Sequence, residues 1–117
     1  MPGIIMLFKL LISHALCDFA LQTPRMAANK NRHNRPTDNA LPPGQRPQTI
    51  WPYVLISHAL IHAGGAWIAT DRVEAAAGMF ASHVLLDAAK CESWWGVHLD
   101  QLLHVVVLIA ITTLLTV

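Results

Sequence analysis

The chain has 117 residues, of which 54% are hydrophobic and only 13% charged, with a formal net charge of +1. A chain so short is one domain at most, and one so apolar has too little charge for an ordinary water-soluble domain. Its two cysteines, Cys17 and Cys91, show no Cys-x-x-Cys or Cys-x-x-Cys-His spacing, which argues against a disulfide framework, thiol metal ligation and c-type haem.

Hydropathy predicts an all-α, polytopic membrane protein: a single domain over 1–117 folded as a four-span transmembrane helical bundle. The spans fall at about 3–22, 50–69, 73–89 and 99–117, each near the roughly 20 residues that cross about 30 Å of hydrocarbon. The first stands where a signal peptide would. It lacks a basic leader, however, and carries His14 and Asp18 where an uninterrupted apolar core belongs, so it reads as a retained span. The loop 23–49 follows, with Arg25, Lys30, Arg32, Arg35 and Arg46 among Pro24, Pro36, Pro42, Pro43 and Pro47. Its first part, to Arg35, reads as an interfacial amphipathic turn or two, and its proline-rich remainder as an extended linker. Lys90 lies on the same side and only Arg72 on the other, so the positive-inside rule puts this loop in the cytoplasm and both termini outside, in a bacterial inner (cytoplasmic) membrane. The basic loop reads as a topology signal attracted to the lipid surface, with no nucleic-acid partner, because no aromatic residues interleave its charges. Trp51, Tyr53, Trp94 and Trp95 fall at the same interface as belt residues. In the second span Gly64 and Gly65, and in the third Ala75, Ala76, Ala77, Gly78 and Ala81, allow close helix approach. A soluble bundle would need charged outer faces, and Val105 to Val117 has none.

The polar residues within the spans are patterned. Ser-His-x-Leu recurs as Ser13-His14-Ala15-Leu16, Ser57-His58-Ala59-Leu60 and Ser82-His83-Val84-Leu85, followed four residues after each histidine by Asp18, His62 and Asp87 respectively. The last span carries the pair reversed, as Asp100 and His104. Residues four apart share one helix face, so each span offers two potential ligands side by side. At about 1.5 Å of rise per residue, all of these except His62 fall in one layer of the cytoplasmic half, with His62 about one turn deeper. The reversed order is what an antiparallel partner requires. The serines read as bonding back to helix carbonyls rather than as nucleophiles. His33 and His98 read as solvated, and Gln22 and Gln101 as extending the polar faces toward the surface.

Buried ionisable groups in a bilayer demand pairing, water or a cation. A divalent metal is the most economical partner: zinc first, iron or manganese as alternatives. The metal-ligating set is His14, Asp18, His58, His62, His83, Asp87, Asp100 and His104, enough for two ions or for one ion with Asp-His pairs behind it. His14, His83 and His104 are the first-choice ligands, and His58 and His62 complete the site. Asp18, Asp87 and Asp100 are the candidate catalytic carboxylates, as ligands, orienters or general base. The expected chemistry is metal-dependent hydrolysis of a lipid-like or membrane-embedded substrate. The alternative is a non-enzymatic protein whose His/Asp network holds the bundle for assembly, as a homo-oligomer or with a partner. Ion transport is disfavoured, because the outer halves, 4–11 and 105–117, are too apolar.

The stretches His14-x3-Asp18-Phe19-x-Leu21-Gln22 with Met26 and Lys30, His58 with His62, Ser82-His83-x3-Asp87-x2-Lys90, and Asp100-Gln101-x2-His104 together span nearly the whole chain. On these the chain resembles a family of short bacterial and phage-encoded integral membrane proteins catalogued as a domain of unknown function. The long proline-rich insert is less typical of that family. The resemblance implies a polytopic membrane protein in which these polar positions are the defining ones, and it implies no activity.

Overall fold

The computed structural model describes residues 2–33, 44 and 50–117, and all regular structure among them is helical. Helix α1, Pro2–Ala15, continues directly into a π-helical turn, Leu16–Ala20, in which the Leu21 N–H reaches back to the Leu16 carbonyl at 2.8 Å. Such turns interrupt α-helices mostly at functional positions, and this one carries Asp18. Helix α2, Pro24–Asn29, begins where Thr23 accepts the Met26 N–H at 3.1 Å and Pro24 supplies a helical φ without a wasted donor. A helical turn or two is expected in this segment, and α2 supplies it. The proline-rich linker expected after it lies outside the described residues.

Helix α3, Trp51–Thr70, stops at Asp71, whose φ of 55° and ψ of 28° place it in the left-handed region that Asp tolerates better than most residues. Its N–H closes on the Trp67 carbonyl at 2.7 Å. Arg72 alone then separates this cap from α4, Val73–Cys91. Helix α5, Val97–Thr116, completes the chain.

The long helices form a closed ring in which α1 packs on α3 and α5, and α4 packs on the same two. Neighbours run in opposite directions. The C-terminal ends of α1 and α4 therefore meet the N-terminal ends of α3 and α5 at one end of the bundle, and the polar pairs of all four helices lie near that end. Toward the other end the ring is filled by Leu10, Ala66, Ala75, Met79, Leu108 and Ile111. Small residues set the spacing as expected, though not every one of them. A Cβ at Gly65 would collide with the Ser13 hydroxyl and lie 3.0 Å from Cys17 Sγ, so this glycine brings α3 onto α1, whereas nothing approaches within 4 Å of Gly64.

The bundle is apolar outside and polar inside. Ile5, Phe8, Leu60, Ile68, Leu85, Leu102 and Leu114 are exposed while five histidines and two aspartates are buried. Such a surface would be costly in water and suits hydrocarbon. Three helices, Pro2–Ala20, Trp51–Thr70 and Val97–Thr116, are long and apolar enough to cross a membrane. These mark the chain as a membrane protein. The fourth long helix, α4, is of similar length but carries Glu74, Asp87 and Lys90 and is less apolar.

Candidate metal centre

Helical side chains lean toward their own N-terminus. In α1 and α4 this aims His14 and His83 away from the site end, whereas in α3 and α5 it aims His58, His62 and His104 toward it. The His62 and His83 rings consequently stack, with centroids 3.7 Å apart and planes 21° from parallel. This corrects the expectation that His62 lies a turn deeper than the rest. His62 is inside the layer, because depth counted along the backbone omits the opposite lean of side chains on antiparallel helices.

Two knots form within the layer. Around Asp18, Oδ1 lies 3.4 Å from both His58 Nε2 and His62 Nε2, and Oδ2 accepts the Gln101 amide N–H at 2.8 Å. Since the Gln101 nitrogen faces a carboxylate, its oxygen faces His14, whose Nε2 is 3.2 Å away. His14 Nε2 therefore donates to the Gln101 oxygen. Around Asp87, Oδ2 is 3.5 Å from both His58 Nε2 and His83 Nε2, and Oδ1 is 3.8 Å from His104 Nε2. His104 is also 3.5 Å from Asp100 Oδ2.

Residues outside the predicted set complete these knots. Lys30, read from sequence as a surface charge of the basic loop, is buried, with Nζ 2.8 Å from Asp87 Oδ2 and 2.7 Å from Gln22 Oε1. Gln101, expected to reach the surface, crosses instead to Asp18 on the facing helix. Trp95, read as a belt residue, donates its indole N–H to Asp100 Oδ1 at 3.2 Å, and Lys90 lies 3.7 Å from Asp100 Oδ2. Lys30 and Gln101 both stood in the sequence as part of the family resemblance, though without these contacts; Trp95 carried no signal beyond its closeness to Asp100. Of the two histidines set aside, His98 is exposed and His33 pairs with Glu92 at 3.0 Å on the surface. Ser82 bonds back to the Met79 carbonyl at 3.2 Å.

Many buried imidazole nitrogens nonetheless have no hydrogen-bond partner: both on His58, both on His83, Nε2 of His62 and of His104, and Nδ1 of His14. Buried polar atoms are rarely left unsatisfied. The histidines other than His14 fall into two metal-compatible groups, Asp18–His58–His62–His83 and His83–Asp87–His104, with donor atoms within 4.8 Å of one another in each; the expected ligands His14 and Asp100 are in neither. Tetrahedral donors at about 2.0–2.1 Å from zinc stand about 3.3 Å apart, so the first group, all imidazole and carboxylate, needs its widest donor pairs to close by up to about 1.5 Å to enclose an ion.

A family profile covers residues 6–117, and its description is a protein of unknown function, DUF3307. The chain belongs to the DUF3307 family. No curated protein and no solved structure matches it. In this DUF3307 chain the charges around the centre divide unevenly. Asp87 has Lys30 and Asp100 has Lys90. Among the described residues no lysine or arginine reaches Asp18, which is met only by imidazoles and the neutral Gln101. Asp18 and Asp87 each stand beside three histidines with unsatisfied nitrogens, but only Asp87 has a lysine as well.

Proposed function

We propose that this chain is a four-span protein of a bacterial cytoplasmic membrane whose Asp18–His58–His62–His83 cluster holds one divalent ion, zinc first and iron or manganese as alternatives, for hydrolysis of a lipid-like substrate. The observation that carries the reading is the convergence of unsatisfied, buried imidazole nitrogens on a carboxylate with no lysine or arginine partner. A bound ion would polarise an ester or phosphoryl oxygen and acidify water. Gln101 fixes the Asp18 carboxylate from behind, and His14 fixes Gln101. Asp18 is also the most accessible ligand, with its side chain 10% exposed against 0% for His58 and 1% for His62, so exchange with water or substrate is easiest there. An apolar groove of about 380 Å³ between α1 and α3, lined by Ser13, Leu16, Cys17, Leu21 and Gly65, runs beside the chain segment that carries Asp18 and would suit an acyl chain. The place of α4 in the ring supports setting it across the bilayer with the other three long helices, and the basic residues at the site end of the bundle support a cytoplasmic position for that end.

A second reading is favoured by the near-complete burial of the ligands and their origin on three separate helices: four protein ligands in a closed site are the pattern of a structural ion. The test is metal analysis of the detergent-purified chain beside His62→Ala, followed by assays on fluorogenic acyl and phosphate esters in mixed micelles. The hydrolase reading expects one ion per chain and turnover, both lost in the variant. One ion without turnover on any ester, with unfolding on its removal, supports the structural role. A wild type that takes up no zinc, iron or manganese refutes both.

A further inference from the structure

We infer that Lys30 is the centre's resident second cation, so that a scaffold with two ligand clusters takes one metal ion and excludes another. The inference rests on the reading that the first cluster holds an ion. The second cluster, His83–Asp87–His104, is a two-histidine, one-carboxylate set of the kind that binds zinc, and Nε2 of His104 and both nitrogens of His83 are unsatisfied. What distinguishes it is the Lys30 ammonium, 2.8 Å from the same Asp87 oxygen that lies 3.5 Å from both His58 and His83. The lysine side chain is only 7% exposed, and Gln22 takes a second of its protons at 2.7 Å. Its charge neutralises Asp87 and would repel a divalent ion arriving at the same oxygen.

This cation comes from outside the helix ring. Lys30 caps the short helix α2, and the two residues after the adjacent Asn31 fasten the segment to the end of α4, where the Arg32 guanidinium and the His33 ring both donate to Glu92. The segment behaves as a plug whose tip replaces a metal. His83 belongs to both clusters, so in a two-ion centre it would bridge, one ring nitrogen to each ion; removing the lysine charge while leaving Asp87, His83 and His104 in place therefore converts a one-ion centre into a two-ion centre.

The test loads the full-length, detergent-purified chain with excess zinc, removes free metal by desalting, and measures zinc per chain for wild type, Lys30→Met, Lys30→Gln and Lys30→Arg. The expected stoichiometries are one, two, two and one, and adding His104→Ala to Lys30→Met returns it to one. Neutral variants that fold and stay at one ion, or a wild type that already takes two, overturn the inference. So do neutral variants that fail to fold even when zinc is present throughout purification, since the second ion should then stand in for the lysine. The two readings fail separately. A wild type without zinc sinks the proposed function, while a Lys30→Met chain that gains one His104-dependent ion still upholds the role of Lys30.

Discussion

Replacing Gln101 with leucine removes the one neutral side chain that holds Asp18 from behind while changing no proposed ligand. Its amide donates to Asp18 Oδ2 at 2.8 Å, leaving Oδ1 to face His58 and His62. A hydrogen bond to a charged acceptor contributes about 1.5–3 kcal/mol, and with about 1.4 kcal/mol per decade the loss should weaken metal binding about 10- to 100-fold. Competition between the protein and a chromophoric chelator in detergent measures the affinity. The same substitution in an Asp18→Asn background should cost less than about threefold, because the carboxylate it steadies is already gone. Equal losses in both backgrounds would show that Gln101 acts through something other than Asp18, and unchanged binding in the single variant would remove Asp18 from the ligand set.

Three further outcomes test the packing, the strap and the ligands. Gly65→Ala should destabilise the bundle by about 1–3 kcal/mol, since its methyl meets Ser13 and Cys17, while the control Gly64→Ala, with open space around it, should be neutral or stabilising by up to about 1 kcal/mol in thermal unfolding. The hydrogen bonds from Arg32 and His33 hold the Glu92 carboxyl down at about 2, against its ordinary 4.5. Because the folded value is the lower, docking of residues 24–33 should be fully supported above about pH 4.5 and lost as the pH falls toward 2. Hydrogen exchange of that segment follows the change, and flat protection down to pH 2 would contradict it; high salt should loosen the same exposed contact. His83→Ala, which removes the residue common to both ligand groups, should abolish zinc retention altogether, whereas His98→Ala, on an exposed residue, should leave it intact by metal analysis.

The helices and the polar layer were legible because both are written in local spacing: apolar runs of span length, and His/Asp pairs four residues apart that must share a face. Sequence could not show what depends on how helices meet. Lys30 reads as one more basic residue in a basic loop until α2 folds back and carries it to Asp87. Gln101 sits beside Asp100 in sequence but points off another face of α5, toward α1, and so serves Asp18. His62 reads as too deep because counting residues ignores side-chain lean. α4 is less apolar than the other long helices for the same reason it matters to the centre, since it carries Asp87 and Lys90 close to its C-terminal end.

Chain order gives the Lys30 contact a meaning for assembly. By the time α3 has emerged, Asp18, His58 and His62 are all present on two helices that pack directly on each other, so the first cluster lacks only His83. Lys30 has by then been made as well, but the carboxylate it will meet is still to come on α4. The same helix that completes the first ligand set thus captures the lysine. Under the proposed reading, loading of one ion and exclusion of another would be sealed by a single docking event.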